Sequence, residues 1–362
     1  MKSAFALLLV AFCCSTVQSQ DQFPVRGFAI GAPRPADVDL FVKFIHNGLA
    51  TQGINTLILR VDYNYQYTTR PELRDSIALS RADVKKIVAA CKQHGIRIVP
   101  QINLLGHQSL GLHINQLTWR VLSTVRRDTT CKMPEKYAWP NEDGLYCKSY
   151  CPLHPEVHAV VFQLVDELCD AFEADAFHAG MDEVFYLGDE KCPRCAGRDK
   201  AELFAGEVRT IRDHLALKGR ELWIWGDRLI DGKITGLGEW EASYNNTHRA
   251  VDMIPKDVVI CDWHYERADK TAYYFAMKGL RVATCPWRNP GVTQQQTRDM
   301  AAFRKDATPE MKDRFIGMIQ TVWSDAKSFI EGYNANKKDD NANTAWASFR
   351  VMTTEMKAIG GY

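Results

Sequence analysis

The sequence predicts an α/β fold: a single (β/α)8 TIM barrel with a long loop after strand 3. Three observations lead there. Eight short runs rich in β-branched and aromatic residues alternate with helical stretches, the pattern of a parallel sheet, and eight strands close a barrel. Gly53, Gly95, Gly219 and Gly279 each stand between a helical stretch and the next strand, where a helix C-cap belongs. An apolar run also ends in two adjacent carboxylates, Asp182 and Glu183, where a buried charge is costly unless chemistry needs it.

Residues 1–19 read as an export signal: Lys2, an apolar run from Ala4 to Phe12, then the small and polar Val17-Gln18-Ser19 for cleavage. That run is too short to span a bilayer, and no later stretch is long and apolar enough to do so. An exported chain is expected, with residues 20–362 forming the barrel domain. Its compartment would be a periplasm, a lysosome or the medium. Strands are expected at 26–31, 55–62, 97–103, 176–182, 221–227, 258–265, 281–287 and 317–323. Helices are expected at 38–52, 81–94, 155–172, 200–217, 270–277, 297–304 and 344–358. Ser80 and Asp83 form a capping box ahead of the second helix. Residues 104–151 are too many for a plain connection and are expected to lie over the barrel mouth.

The chain has 362 residues, with 45 Lys and Arg against 44 Asp and Glu. This balance, without a dense basic run, argues against a nucleic-acid binder. Of eleven cysteines, Cys13 and Cys14 would leave with the signal. Cys147 and Cys151, and Cys192 and Cys195, form two short spacings bordering one rim region. They fit either structural zinc or disulfides, and an exported setting favours disulfides. Neither reading puts a metal in the chemistry. Cys261 and Cys285 read as buried thiols. The sequon Asn245-Asn246-Thr247 is expected to be unused.

Strands have period two, so Trp223, Trp225 and Asp227 share one face. The same rule groups Trp263 with Tyr265, Cys285 with Trp287, and Thr321 with Trp323. Trp225, Trp263, Trp287 and Trp323 would reach one rim from four successive strands. Flat aromatic walls with a few fixed polar groups suit a pyranose ring. Asp182 and Glu183 fall on opposite faces of a continuing strand. They can share a cavity only if the strand stops there and the chain turns, at the C-terminal mouth where such barrels keep their active sites.

His178-Ala179-Gly180-Met181-Asp182-Glu183 resembles the His-x-Gly-Gly-Asp-Glu motif of family 20 glycoside hydrolases, the β-N-acetylhexosaminidases. Arg26-Gly27, Val61-Asp62 and Gly106-His107 resemble further family positions, and the four tryptophans fall where the family has its sugar pocket. The resemblance implies an exo-acting enzyme that releases terminal β-linked GlcNAc or GalNAc. In it the substrate's own acetamido oxygen is the nucleophile, an exception to the two-carboxylate scheme. Glu183 would be the general acid and base, and Asp182 would orient the acetamido group. His107 and Asp62 would support Glu183, and His178 would pack beneath the pair. Arg26, Trp225, Trp263, Tyr265, Trp287, Trp323 and Asp325 would hold the sugar. Glu183 is expected to be protonated and Asp182 ionised at rest. No cofactor is implied, and the partner is a glycan. Met181 replaces the motif's second glycine, Asp325 stands where a Glu is common, and Tyr265 substitutes for a tyrosine whose place Arg288 takes. The competing readings are a barrel glycosidase that pairs Glu183 with Asp227 or Asp325, and a non-catalytic carbohydrate-binding barrel.

Overall fold

The computed structural model describes residues 22–107, 149–190, 192–335 and 342–360. The export signal, Cys147 and most of the stretch 104–151 lie outside the described residues. Eight parallel strands close in sequence order into a barrel. They are β1 (Val25–Gly31), β2 (Thr56–Arg60), β3 (Arg97–Leu104) and β4 (Ala176–Gly180), followed by β5 (Glu221–Trp225), β6 (Val259–Asp262), β7 (Arg281–Thr284) and β8 (Phe315–Thr321). The pairing of β1 with β8, from Val25 on Gly317 to Ala29 on Thr321, completes the ring.

All but β1 and β3 stop short of the expected C-terminal ends. The apolar alternation runs on because the mouth is buried too, but the ladder ends where the backbone turns left-handed, as at Asp62 (φ 47°) and Met181 (φ 66°). Asp62, Asp182, Asp227, Trp263, Tyr265, Trp287 and Trp323 therefore sit just beyond the last paired residues.

Helices α1 (Val38–Phe44), α2 (Arg81–Gln93), α3 (Val157–Phe172), α4 (Lys200–Ala216), α5 (Thr271–Met277), α6 (Pro290–Asp306), α7 (Ala326–Ala335) and α8 (Ala345–Gly360) surround the strands. The capping box of α2 forms in both directions: the Asp83 N–H donates to Ser80 Oγ, and the Ser80 N–H donates to the Asp83 carboxylate. Helix α6 starts earlier than its apolar spacing suggests, because Asn289 caps it and Pro290 pre-sets the first turn. Helix α7 was not expected; only Ala326, Phe329 and Ile330 are buried along it, too short a stripe to read. The four C-cap glycines are left-handed, with φ of 75°, 63°, 65° and 85°.

Two layers of apolar packing result. One lies between sheet and helices, and the other fills the lumen, with Ile58, Val99, Trp223, Val259, Cys261 and Ile319 among its members. A filled lumen makes the barrel a rigid platform on which only the loops at the strand ends can vary. No described helix is long and apolar enough to cross a membrane.

Candidate active site

The site is built from the turn that follows β4. Gly180 is left-handed (φ 65°), and a Cβ there would meet Asn103 Oδ1 at 2.3 Å and the Asn103 Cα at 2.9 Å. Only glycine fits such a place. Met181 and Glu183 are left-handed as well, at φ 66° and 50°. Left-handed residues on both sides of Asp182 undo the strand alternation, so residues 182 and 183 turn to one side and meet at His107. His107 Nε2 lies 3.0 Å from Asp182 Oδ2 and 3.4 Å from Glu183 Oε2, with side-chain exposures of 7%, 8% and 12% respectively.

The loop after β3 presses against this turn. Leu105 and His107 are left-handed (φ 60° and 55°), and a Cβ on Gly106 would come within 2.6 Å of the Asp182 carbonyl oxygen. Asp62 is left-handed too. Its Oδ1 accepts the Asn103 N–H at 2.8 Å, and its carbonyl accepts the Tyr67 hydroxyl at 2.7 Å. Thus five of the seven left-handed non-glycine residues among the described ones stand at the mouths of β2, β3 and β4. Each such residue costs about 1–3 kcal/mol, so surrounding contacts must hold them in place, and strain of this kind concentrates at functional sites.

Charge is arranged as tightly as shape. Burial pushes the Asp182 carboxyl up, but the His107 imidazole, its own backbone N–H and His178 outweigh burial and hold it below the usual range. Asp227, also buried, moves the other way. Burial raises it and the Asp182 charge adds to that, while Arg228 and the Glu183 N–H oppose. Asp62 is raised by burial against the pull of Arg60, the Asn103 N–H and His107, although 35% of its side chain remains exposed.

Asp227 ties the site together, a role sequence reasoning missed. Its Oδ2 accepts the Glu183 backbone N–H at 2.9 Å and Arg228 Nε at 2.6 Å, and its Oδ1 accepts Trp263 Nε1 at 3.3 Å. Arg228 is itself fully buried and donates to the carbonyls of Glu239, Trp240 and Ala242. The available signal was an Asp-Arg pair following the inward-facing Trp225. Asn245 is a second such residue. Its Nδ2 donates to the carbonyls of Val184 and Phe185 at 2.8 and 3.1 Å, so the sequon's amide nitrogen already holds the Glu183 loop.

The aromatic wall is continuous. Trp225 lies 4.5 Å from the His178 ring and 5.9 Å from Trp323, centroid to centroid. Tyr265 packs between Trp263 (4.9 Å) and Trp287 (5.3 Å), and its hydroxyl accepts Trp323 Nε1 at 2.8 Å. His178 is fully buried, and its Nδ1 accepts the Gly180 N–H at 3.0 Å, which fixes the end of β4. Asp182, Glu183, His107, His178, Trp225, Trp263, Tyr265, Trp287 and Trp323 are therefore at or beneath the mouth, with Asp62 beside them.

Two expected sugar-holding residues have other commitments. Arg26 begins β1, at the opposite end of the barrel, where its guanidinium donates to the carbonyls of Gly53 (2.8 Å) and Phe23 (3.0 Å). A residue at a strand's start cannot reach the C-terminal mouth of a parallel barrel. Arg60, the last residue of β2, is at the mouth instead: its guanidinium lies 4.8 Å from the Trp323 ring and 3.8 Å from Asp62. Asp325 is exposed and spends both carboxylate oxygens on Ser328, accepting its N–H (3.0 Å) and its hydroxyl (2.6 Å) at the start of α7. The buried His264, flanked by Glu241 (2.8 Å) and Asp262 (3.2 Å), braces the end of β6 and was also missed.

An imidazole between two carboxylates can bind a cation or tune an acid. The donor atoms of His107, Asp182 and Glu183 lie within 4.8 Å of one another. Comparison with known proteins places the chain in a family. The β-hexosaminidase of Akkermansia muciniphila is 28% identical over 213 residues, covering 50% of this chain and 38% of its own length. β-Hexosaminidase 1 of Coccidioides posadasii is 22% identical over 276 residues, covering 67% and 40%. A lacto-N-biosidase of Bifidobacterium bifidum is 23% identical over 236 residues, covering 62% and 19%. The chain thus spans well under half the length of these curated relatives. Among solved structures, a β-N-acetylhexosaminidase from Bacteroides fragilis superposes with a TM-score of 0.59 at 17% identity, over 93% of this chain and 66% of that one. A GH20 exo-β-N-acetylglucosaminidase from Vibrio harveyi, in complex with N-acetylglucosamine, gives 0.61 at 15% identity, over 94% and 59%. These two likenesses establish the barrel. The family model described as "Glycosyl hydrolase family 20, catalytic domain" matches residues 59–331, from the end of β2 into α7, and the chain belongs to that family.

Proposed function

We propose that this chain is an exo-acting β-N-acetylhexosaminidase that hydrolyses terminal β-linked GlcNAc or GalNAc with the substrate's acetamido group as nucleophile. The observation that carries the reading is the convergence of Asp182 and Glu183 on His107 beside the aromatic wall. Asp182 has one oxygen beside His107, while its Oδ1 is buried and has no hydrogen-bond partner among the described residues. That oxygen is an acceptor suited to an acetamido N–H. Donation there directs the acetamido carbonyl oxygen at the anomeric carbon and stabilises the positive charge that develops on the amide.

Glu183 gives its proton to the glycosidic oxygen as the bond to the anomeric carbon breaks and the acetamido oxygen forms a new one. It then takes a proton from the water that opens the oxazolinium-like ring. His107 stands within reach of both carboxylates, 3.0 Å from Asp182 and 3.4 Å from Glu183, and so positions the two groups against each other. The tryptophans and Tyr265 supply flat faces for the C–H side of the sugar, and the Arg60 and Arg288 guanidiniums stand 4.8 and 4.4 Å from the Trp323 and Trp287 rings.

Asp227 is poorly suited to act as a second nucleophile, since its oxygens are committed to Glu183, Arg228 and Trp263. The test is turnover of paired aryl β-glycosides with and without the 2-acetamido group. Loss of turnover without it is expected, and a thiazoline mimic of the cyclised intermediate should inhibit. Equal turnover of both would end the proposal. We also read residues 1–19 as an export signal, which secretion of a reporter fused after residue 19 would test.

A further inference from the structure

On the loop that follows the catalytic turn, three thiols from two distant segments meet. Cys151 Sγ lies 2.8 Å from Cys195 Sγ and 3.5 Å from Cys192 Sγ, and all three sulfurs fall within 4.8 Å of one another. Cys192 and Cys195 are brought to one side by a tight turn. The Cys192 N–H donates to the Asp189 carbonyl, the Ala196 N–H to that of Cys192, and the Arg198 N–H to that of Cys195, with Gly197 left-handed at φ 71°. Cys192 and Cys195 are buried and Cys151 is half-buried, so the cluster is shielded but not sealed.

We propose that Cys151, Cys192 and Cys195 are three ligands of a structural zinc ion. A disulfide joins only two sulfurs and would leave the third pressed against it. A single soft cation takes all three as thiolates, releasing three protons on binding. A Zn–S bond of about 2.3 Å spaces tetrahedral sulfurs about 3.8 Å apart, so the observed cluster needs to open by about 1 Å at most. The fourth position is left to water or another donor. This ion joins the segment leading into α3 to the loop that descends from Glu183, nine residues upstream of Cys192. The metal therefore anchors the far side of the catalytic turn without entering the reaction.

The test is elemental analysis of the full-length protein purified without added metal, together with thiol alkylation under denaturing conditions without reductant. About one zinc ion per chain is expected, with all three cysteines alkylated once the ion is chelated. Cys151→Ser and Cys195→Ser should each lower zinc retention at least about tenfold, while Glu183→Gln keeps it and so excludes the His107 group as the binding place. Chelation should lower Tm and zinc should restore it. Replacement by Co(II) should give thiolate charge-transfer absorption, a readout on the unmutated protein. A Cys151–Cys195 disulfide found by mass, or metal-free protein with free thiols, would overturn the proposal. So would zinc that is lost in Glu183→Gln but kept in both cysteine variants.

Discussion

At the N-terminal end of the strands, Arg97 donates to Asp175 and to Glu221, both at 2.7 Å, and Arg281 donates to the other oxygen of Glu221 at 2.7 Å. These groups begin or immediately precede β3, β4, β5 and β7, and they are roughly a third or more exposed. At the C-terminal end stand Asp182 and Asp227, almost fully buried, the former between two left-handed residues. Both ends carry charge at strand termini. At the first, water screens pairs that neutralise one another, and little energy is at stake. At the second, burial shifts proton affinities in opposite directions, Asp182 down and Asp227 up, and leaves one acceptor open. The contrast teaches that charge by itself does not mark a site. Charge held against desolvation and backbone strain does.

The sharpest way to break this contrast is Glu183→Gln. Loss of the donor proton should lower kcat by about 10³-fold for substrates with poor leaving groups, with Tm almost unchanged. Full activity would remove the chemistry from the strained end. Asp227→Ala comes next. It leaves buried Arg228 without its carboxylate and frees the Glu183 N–H, so a loss of about 3–5 kcal/mol in denaturant unfolding is expected, with reduced kcat. A change below 1 kcal/mol would mean that the buried end is no more costly than the exposed one.

A third test uses pH. Burial lowers the His264 pKa, but Asp262 and Glu241 outweigh it and hold the imidazole charged, its pKa pushed up to about 10. A folded pKa above the unfolded value gives stability that is complete below the unfolded pKa, about 6.5, and is lost as pH rises toward 10. Wild-type stability should therefore fall across that window by on the order of 4 kcal/mol, and His264→Gln should show no such slope. Parallel slopes would refute the brace.

Met181→Gly relieves a left-handed residue worth about 1 kcal/mol but removes a fully buried side chain worth about 2–5 kcal/mol, so net destabilisation is expected in thermal unfolding. A rise in Tm would mean that strain dominates packing there. The smallest effects belong to the exposed end. Arg97→Met should cost about 1 kcal/mol or less and leave kcat and KM unchanged. Arg26→Gln should likewise leave KM unchanged. A raised KM would return Arg26 to the sugar.

Much of this was legible in the sequence. The alternation of strand and helix, the capping box at Ser80, the four C-cap glycines and the eight-strand closure all rest on patterns that repeat over two to four residues, and such patterns are local. The tryptophans at strand ends were visible for the same reason, since period two assigns them to one face, and the acidic pair stood out as two carboxylates closing an apolar run. What the sequence left ambiguous was position along a strand. Arg26 and Arg60 both flank apolar runs, yet one starts its strand and the other finishes it, so they stand at opposite ends of the barrel.

The tertiary structure alone decided that Asp182 and Glu183 share a side. Left-handed turns at Met181 and Glu183 bring this about, and contacts from Asn103, Gly106, Asp227 and Asn245 hold them, each distant in the chain. It also decided that Asp227 anchors and Asp325 caps, because those roles depend on which donors arrive from other strands and helices. Local pattern fixes which face a residue takes. Long-range contact fixes the charge state and backbone geometry it is held in, because burial and strain are properties of the assembled barrel.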